Sequence, residues 1–361
     1  MIRREWPLLA SYATAALFFL FARQLPGDLG NSWWAAFVLV WLFAVMLAAA
    51  FAVVRHSECL ATILGEPFGT LILTLAITGI EVMMIAAVML NGPPVSALAR
   101  DTMFAVVMIV FNGMAGLTLL VGGLRYHEQT YNLQGANAFL AVIVPLAVLG
   151  LVLPNFTESP GGTLSALHEI FLIFMSIALY GVFLAIQTLR HKHYFVTADE
   201  PAGDDHGDLE VRSAAFHGVL LIAYIIPIVL LSKKIAVPIE HAVQVLGAPE
   251  ALVGFLVAAL ILSPESLGAV RAALANQLQR SVNLLLGSVL ASISLTIPAV
   301  LAIGLFTDRS VVLGLEPVDV VLLLLTLGLS TITFASGRTN ILLGAVHLLL
   351  FCSYLVLLFE R

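Results

Sequence analysis

Long apolar runs recur along the whole chain, and they restrict its fold more than any other feature of the sequence. A helix needs about 20 consecutive apolar residues to cross a bilayer. Hydrophobic residues make up 61% of the 361 residues and charged residues only 11%, whereas a soluble domain carries about 25% charged residues. We therefore predict a membrane protein, and the absence of a sizeable basic patch excludes a nucleic-acid partner.

The apolar runs predict about eleven transmembrane helices. None of them alternates with the period of two that a membrane β-barrel requires, so the predicted fold class is an all-α polytopic membrane protein. The predicted spans are residues 8–22, 33–54, 68–90, 102–121, 137–154, 164–189, 214–232, 249–268, 281–304, 317–335 and 340–358. A cleaved signal peptide is the alternative for the first span, but no clear small-residue cleavage site follows it, which favours a retained helix.

Basic residues in the short loops predict the orientation, because cytoplasmic loops carry an excess of Lys and Arg. With the N-terminus in the cytoplasm, ten of the 16 basic residues fall on the cytoplasmic side and six on the other side. The predicted location is the inner membrane of the cell. The ten are Arg3, Arg4, Arg55, Arg125, Arg190, Lys192, Arg212, Arg271, Arg280 and Arg338.

One hydrophilic stretch divides the chain. The predicted parts are an N-terminal helix in 1–30, a five-helix repeat in 31–189, a cytoplasmic acidic and His-containing loop at 190–213, and a second five-helix repeat in 214–361. Because each repeat has an odd number of spans, the two cross the membrane in opposite senses, which is the topology of an inverted repeat. For the loop, a solvated linker is favoured over a weak cation site or a pH sensor.

A single glutamate interrupts the second apolar run of each repeat. These are Glu81, which follows Gly79, and Glu265, which follows Pro264. An ionised glutamate at mid-membrane costs at least a few kcal/mol, so a cation or a proton is expected to compensate it. The alternatives are a protonated Glu81 in a hydrogen-bonding stripe between helices, and a Glu265 that meets water near the cytoplasmic end of its helix. Pro264 also leaves the carbonyl of Leu260 without its helical donor. We predict that the two carboxylates meet near the repeat interface and together match one divalent cation or two protons.

Hydroxyl and amide side chains near the glutamates are candidate secondary ligands. Thr74, Thr78 and Glu81 share one helix face, and oxygen ligands of this kind suit calcium, sodium or protons. Hydrogen bonding between helices is the alternative role for such groups. The remaining candidates are Asn112, Ser263, Ser288 and Ser292.

A third polar stripe and one histidine lie in later helices. Thr326, Ser330 and Thr333 fall on one helix face, but none of them is assigned a ligand role individually. His347 lies within the last predicted helix, where a structural histidine is favoured over a proton relay.

Enzyme motifs are absent from the sequence. There is no HExxH, GxSxG, Walker loop or GxGxxG. A membrane-embedded enzyme is therefore a remote alternative, and a cation channel without proton coupling is the nearer one. No cofactor is predicted. The expected partners are membrane lipid and the transported cations and protons, and a homo-oligomer is left open.

Four stretches resemble the calcium/cation antiporter superfamily, and most closely its ChaA-type members. In the calcium/proton exchangers of that superfamily each repeat carries a Gly-Asn-x-x-Glu element whose glutamate binds calcium or protons alternately. Here these glutamates fall on Glu81 and Glu265. The glycine and asparagine are replaced by Ile77 and Thr78 in the first repeat and by Ile261 and Leu262 in the second. The stretches are LGEPFGTLILTLAITGIEV, LARDTMFAVVMIVFNGMAGLTLLVGG, YNLQGANAFLAVIVPLAVLGLVLPNFT and ALANQLQRSVNLLLGSVLASISLTIPAVLAIGL.

The resemblance implies a secondary antiporter that imports protons and exports a cation from the cytoplasm. Glu81 and Glu265 are the implied cation and proton ligands. Calcium, sodium and potassium stay open as substrates, because ChaA-type proteins are associated with all three and the amide of the calcium/proton element is missing in both repeats.

Overall fold

The structure is a computed structural model that describes residues 4–21, 32–64, 68–91, 97–157, 160–195 and 212–360. These residues form eleven helices and one pair of two-residue strands, so the all-α fold class is confirmed. The helices are α1 (Trp6–Leu20), α2 (Ser32–Leu64), α3 (Phe68–Asn91), α4 (Leu98–Tyr126), α5 (Leu133–Phe156), α6 (Ala166–Arg190), α7 (Ala214–Leu246), α8 (Ala251–Leu274), α9 (Leu278–Thr307), α10 (Pro317–Thr333) and α11 (Ile341–Phe359).

The two strands join loops that are distant in sequence. β1 (Gln129–Thr130) pairs antiparallel with β2 (Arg338–Thr339). Most of the predicted loop at 190–213 lies outside the described residues, which resume at residue 212.

Eight of the described helices are long and apolar enough to cross a membrane. Large apolar side chains face outward on them, for example Phe174, which is 70% exposed, and Phe306, which is 90% exposed. Outward-facing apolar surface of this extent is what contact with lipid requires. Two further helices, α1 and α10, are apolar but shorter, at 15 and 17 residues. The eight are α2, α4, α5, α6, α7, α8, α9 and α11.

Four of the described helices contain a π-helical segment. In α9, Pro298 lies two residues after the end of the segment, and its ring nitrogen cannot donate to a carbonyl of the preceding turn. Wider turns of this kind are frequent at functional sites, because they free backbone groups and redirect side chains. The segments are Met108–Met114 in α4, Val148–Val152 in α5, Ile186–Arg190 in α6 and Ser292–Thr296 in α9.

The chain divides into two compact units, each of which contains helices from both predicted repeats. The first unit comprises Met1–Val95 and His206–Pro264. Its core lies where α2 and α7 pack along each other, with α3 and the first part of α8 beside them. Core residues of this unit include Leu42, Met46, Val53, Ile80, Met84, Ile228, Leu231 and Leu260.

Polar contacts attach the start of α1 to this core. The Glu5 carboxylate lies 2.8 and 2.9 Å from Nη2 of Arg55 on α2 and accepts a 2.6 Å hydrogen bond from the hydroxyl of Tyr224 on α7. Farther along α1, the ring of Phe18 packs edge-on against Trp41 of α2. One carboxylate thus joins three helices of the first unit.

The second unit comprises Ser96–Asp205 and Glu265–Arg361. In this unit α11 packs against α4 at two glycines, Gly344 and Gly116. A Cβ atom at Gly344 would lie 2.5 Å from the backbone nitrogen of Leu120, and one at Gly116 would lie 2.9 Å from that of Leu348. Glycine is therefore required at both positions, because it lets two membrane helices approach backbone to backbone.

Candidate functional site

Glu81 is buried within the first unit. It lies on α3 with 1% of its surface exposed, one turn after Thr78, which is 4% exposed. Its neighbours in the helix, Ile77, Ile80 and Met84, belong to the apolar core. The side chain of Thr74 lies outside the described residues, so its predicted role stays a prediction. An ionised carboxylate in such surroundings needs a cation, a proton or strong hydrogen bonds to offset its desolvation.

Glu265 lies on α8 and belongs to the second unit. The hydroxyl of Ser288, on α9, donates a hydrogen bond to Oε2 of Glu265. The structure therefore brings two predicted site residues from neighbouring helices into direct contact. A hydroxyl can donate to an ionised carboxylate and can accept from a protonated one, so Ser288 is suited to both charge states of Glu265.

Ser263 uses its hydroxyl proton within its own helix. Its Oγ donates to the carbonyl of Ala259, at 2.5 Å. Pro264 follows directly and cannot donate to the carbonyl of Leu260. The turn before Glu265 thus combines a back-bonded serine with a carbonyl that lacks its helical donor, which is where the sequence predicted extra ligand oxygens.

Asn112 is fully buried in the π-helical segment of α4. Its amide nitrogen donates to the hydroxyl of Thr326 at 2.7 Å, and its Oδ1 lies 3.1 Å from Nδ1 of His347. The Nε2 atom of His347 lies 3.0 Å from the hydroxyl of Thr333. These partners come from α10 and α11, and none of them belongs to the predicted ligand set.

Sequence reasoning left these partners without a role, although two signals pointed to them. Thr326 and Thr333 share a helix face, and His347 is the histidine of the last helix. What the sequence does not show is that α11 approaches α4 closely enough, at Gly116 and Gly344, to place His347 against Asn112.

Ser292 occupies the corresponding place in α9. It lies 12 residues after Arg280 (292 − 280), just as Asn112 lies 12 residues after Arg100 (112 − 100). Both side chains are buried in π-helical segments. In the same segment of α9 the hydroxyls of Ser294 and Thr296 have no hydrogen-bond partner among the described residues.

Oxygen atoms dominate the ligands that these residues offer. Within the described part of the chain, no group of three or more His, Cys, Asp or Glu side chains lies close enough together to hold a metal ion. The available ligands are single carboxylates supplemented by hydroxyl, amide and backbone oxygens. Such hard ligands suit Ca²⁺, Na⁺ and K⁺ better than softer transition metals.

Several known proteins resemble this chain in sequence or in fold. The protein y4hA of Sinorhizobium fredii is 44% identical over 87% of this chain and 86% of its own. The sodium-potassium/proton antiporter ChaA of Escherichia coli is 42% identical over the same shares. A crystal structure of the Ca²⁺/H⁺ antiporter protein YfkE superposes with a TM-score of 0.74 and 19% identity, and all of both chains is covered.

The fold and these relatives thus define a polytopic helical membrane transporter. The family described as sodium/calcium exchanger protein matches residues 34–189 and 216–360. This chain belongs to that family.

Proposed function

We propose that this chain is a cation/proton antiporter in which Glu81 and Glu265 bind cations and protons alternately. The observation that carries the proposal is that each carboxylate lies within an apolar helix and that Glu265 is held by the Ser288 hydroxyl. A carboxylate that exchanges a proton for a cation never remains uncompensated in the membrane. The same group therefore couples the two fluxes, because it cannot hold both at once.

The cation is proposed to be sodium, potassium or calcium. Sodium and potassium are named for the relative that is 42% identical to this chain, and calcium is named for the solved structure that has the same fold. Two carboxylates carry the charge that one Ca²⁺, two monovalent cations or two protons neutralise. The transported ions are substrates, and the mechanism needs no cofactor.

Direction and location complete the proposal. We place the protein in the inner membrane with its N-terminus in the cytoplasm, as the distribution of basic residues favours. In that orientation an inward proton gradient drives the export of cations from the cytoplasm. The secondary ligands are proposed to be Thr74, Thr78, Asn112, Ser263, Ser288 and Ser292.

Inside-out vesicles with an acidic interior test this function. A pH-sensitive dye reports the interior while Na⁺, K⁺ or Ca²⁺ is added outside. We expect at least one cation to dissipate the gradient, and we expect Glu81→Gln and Glu265→Gln each to abolish this response, because an amide cannot exchange a proton for a cation. Glu128→Gln is the matched control, since Glu128 is 63% exposed at the surface.

Two results would contradict the proposal. Exchange that persists in both Glu81→Gln and Glu265→Gln would show that the carboxylates take no part in the mechanism. Cation flux that is indifferent to an imposed pH gradient would indicate a channel.

A further inference from the structure

The buried group formed by Asn112, Thr326, Thr333 and His347 is expensive to place inside a membrane protein. All four side chains have no exposed surface. Uncompensated polar groups at this depth are costly, and polar residues within membrane helices commonly mark functional sites. Asn112 also lies in a π-helical segment, a second feature that is common at such sites.

In the structure the amide nitrogen of Asn112 faces Thr326 on α10, and its Oδ1 faces His347 on α11. The hydroxyl of Thr326 lies 3.5 Å from the sulfur of Met108, its acceptor, so its oxygen is free to accept from the amide nitrogen of Asn112 at 2.7 Å. The amide nitrogen therefore faces α10. Oδ1 consequently faces His347, at 3.1 Å from Nδ1.

The same pattern assigns the tautomer of His347. In this orientation Oδ1 of Asn112 can only accept, so Nδ1 of His347 carries the proton. In the neutral ring Nε2 is then an acceptor, and the hydroxyl of Thr333, 3.0 Å away, is its donor. No residue that hydrogen-bonds to His347 is charged within the described part of the chain. Hydrogen bonds thus hold the ring at both nitrogens, and its Nδ1–H donor is directed at Asn112.

A carbonyl oxygen has two lone pairs, and His347 uses only one of those on Asn112. Without that donor the amide could rotate by half a turn and direct its NH₂ group where its oxygen was, and an NH₂ group repels a cation. The close approach of α11 at Gly344, three residues before His347, keeps the ring in place.

We propose that His347 is a positioning residue that holds the amide oxygen of Asn112 in the orientation that a transported cation binds. The inference rests on the proposed antiport function and deepens it. His347 acts through Asn112 and does not itself touch the cation.

Two conservative variants separate the two ring nitrogens. In His347→Asn the side-chain amide nitrogen takes the place of Nδ1 and keeps a donor for Asn112. In His347→Gln the longer side chain reaches toward Thr333 and loses the donor for Asn112. We expect His347→Gln to raise the apparent KM for the cation about fivefold to tenfold, the loss that one neutral hydrogen bond produces, with little change in maximal rate. His347→Asn should stay within about twofold of the wild type.

A double-variant cycle distinguishes positioning from a general structural role. If His347 acts through Asn112, the pair Asn112→Ala and His347→Gln should raise KM no more than Asn112→Ala alone. Independent contributions would multiply instead. Thr333→Val is the matched control, because it removes only the partner of Nε2.

Cation binding by purified protein provides a readout that does not require transport. A bound cation raises the melting temperature by mass action, and the cation concentration needed for this rise should increase in His347→Gln but not in His347→Asn. Equal KM values for wild type and His347→Gln would overturn the inference, and so would multiplicative effects in the cycle. Exchange by the wild type in the same experiments would still support the proposed function. A wild type that neither exchanges nor binds a cation would overturn both.

Discussion

Hydrogen-bond directions assign a tautomer to each of two buried histidines in the first unit. The backbone N–H of Arg212 donates to Nε2 of His217 at 3.0 Å, so the neutral ring carries its proton on Nδ1. That atom lies 2.9 Å from Nδ1 of His56, which therefore accepts. The proton of His56 is then on Nε2, 3.4 Å from Glu5. A proton added to Nδ1 of His56 would set two donors against each other, so this packing favours neutral rings.

Glu5 is the anionic end of this chain of hydrogen bonds. Burial raises the pKa of its carboxyl, but the hydrogen bonds from Tyr224 and His56 and the charge of Arg55 lower it, and the pKa falls below the usual 4.5. A carboxyl whose pKa is lowered by folding stabilises the folded state above its unfolded pKa. The stabilisation is lost as the pH falls through the lower, folded value.

Glu5→Gln is expected to destabilise the protein near neutral pH by about 1–2 kcal/mol, because the amide keeps the shape but loses the charge-assisted hydrogen bonds. The difference in melting temperature between wild type and variant should be constant above about pH 5.5 and should shrink below about pH 4.5. Melting of the detergent-solubilised protein over this pH range measures it. Glu250→Gln, at an exposed carboxyl, is the control, and a difference that grows in acid would contradict the assignment.

At the scale of elements, helix contacts in the second unit depend on small residues. The α4 and α11 backbones meet at Gly116 and Gly344, and the ring of Phe351 packs 3.2 Å from the position that a Cβ atom at Gly113 would take. In a membrane, van der Waals packing and hydrogen bonds replace the hydrophobic effect as the force between helices. The glycines therefore do more than allow contact: they set the depth at which His347 meets Asn112.

Gly344→Ala should separate α4 from α11. The added methyl would lie 2.5 Å from the backbone nitrogen of Leu120 and 2.8 Å from the carbonyl oxygen of Gly116, and overpacking of this kind costs about 1–3 kcal/mol. We expect a lower melting temperature together with a raised KM for the cation.

Gly328→Ala on α10 is the control for that prediction, because a Cβ atom there meets no heavy atom within 4 Å. Alanine is the better helix former by about 1 kcal/mol, so this variant should be as stable as the wild type or more so. Equal loss of stability in the two variants would show that the close approach of α4 and α11 is not what Gly344 provides.

At the scale of the whole molecule, the predicted inverted repeat requires an odd number of crossings in each half. Five helices, α7 to α11, follow the central loop. Of these, α10 has 17 residues and spans about 26 Å at 1.5 Å per residue, a little less than the hydrocarbon core of about 30 Å. Every one of the five must nevertheless cross for the two halves to have opposite orientations.

Single cysteines test the crossings. In a background that carries Cys59→Ala and Cys352→Ser, we expect Ala202→Cys to react with a membrane-impermeant thiol reagent in inside-out vesicles only. Arg361→Cys should react in right-side-out vesicles only, because an odd number of crossings separates the two positions. Transport activity of the cysteine-free protein is the control for folding. Reaction of both positions from the same side would refute the inverted repeat.

Much of this protein could be predicted from its sequence. Eleven apolar runs determined the all-α fold. Apart from a closed β-barrel, only a helix satisfies all of its own backbone hydrogen bonds in lipid. Glu81 and Glu265 stood out as site candidates because an ionised carboxylate in an apolar run must be compensated by a cation, a proton or hydrogen bonds. Both kinds of signal are local in the chain.

Contacts between helices were decided only by the tertiary structure. Ser288 reaches Glu265 across 23 residues, and His347 reaches Asn112 across 235. A hydroxyl stripe such as Thr326 and Thr333 does not reveal from sequence which helix it faces. The π-helical segments and the close approach at Gly116 and Gly344 set those partners, because the depth and rotation of packed helices depend on side chains that are distant in sequence.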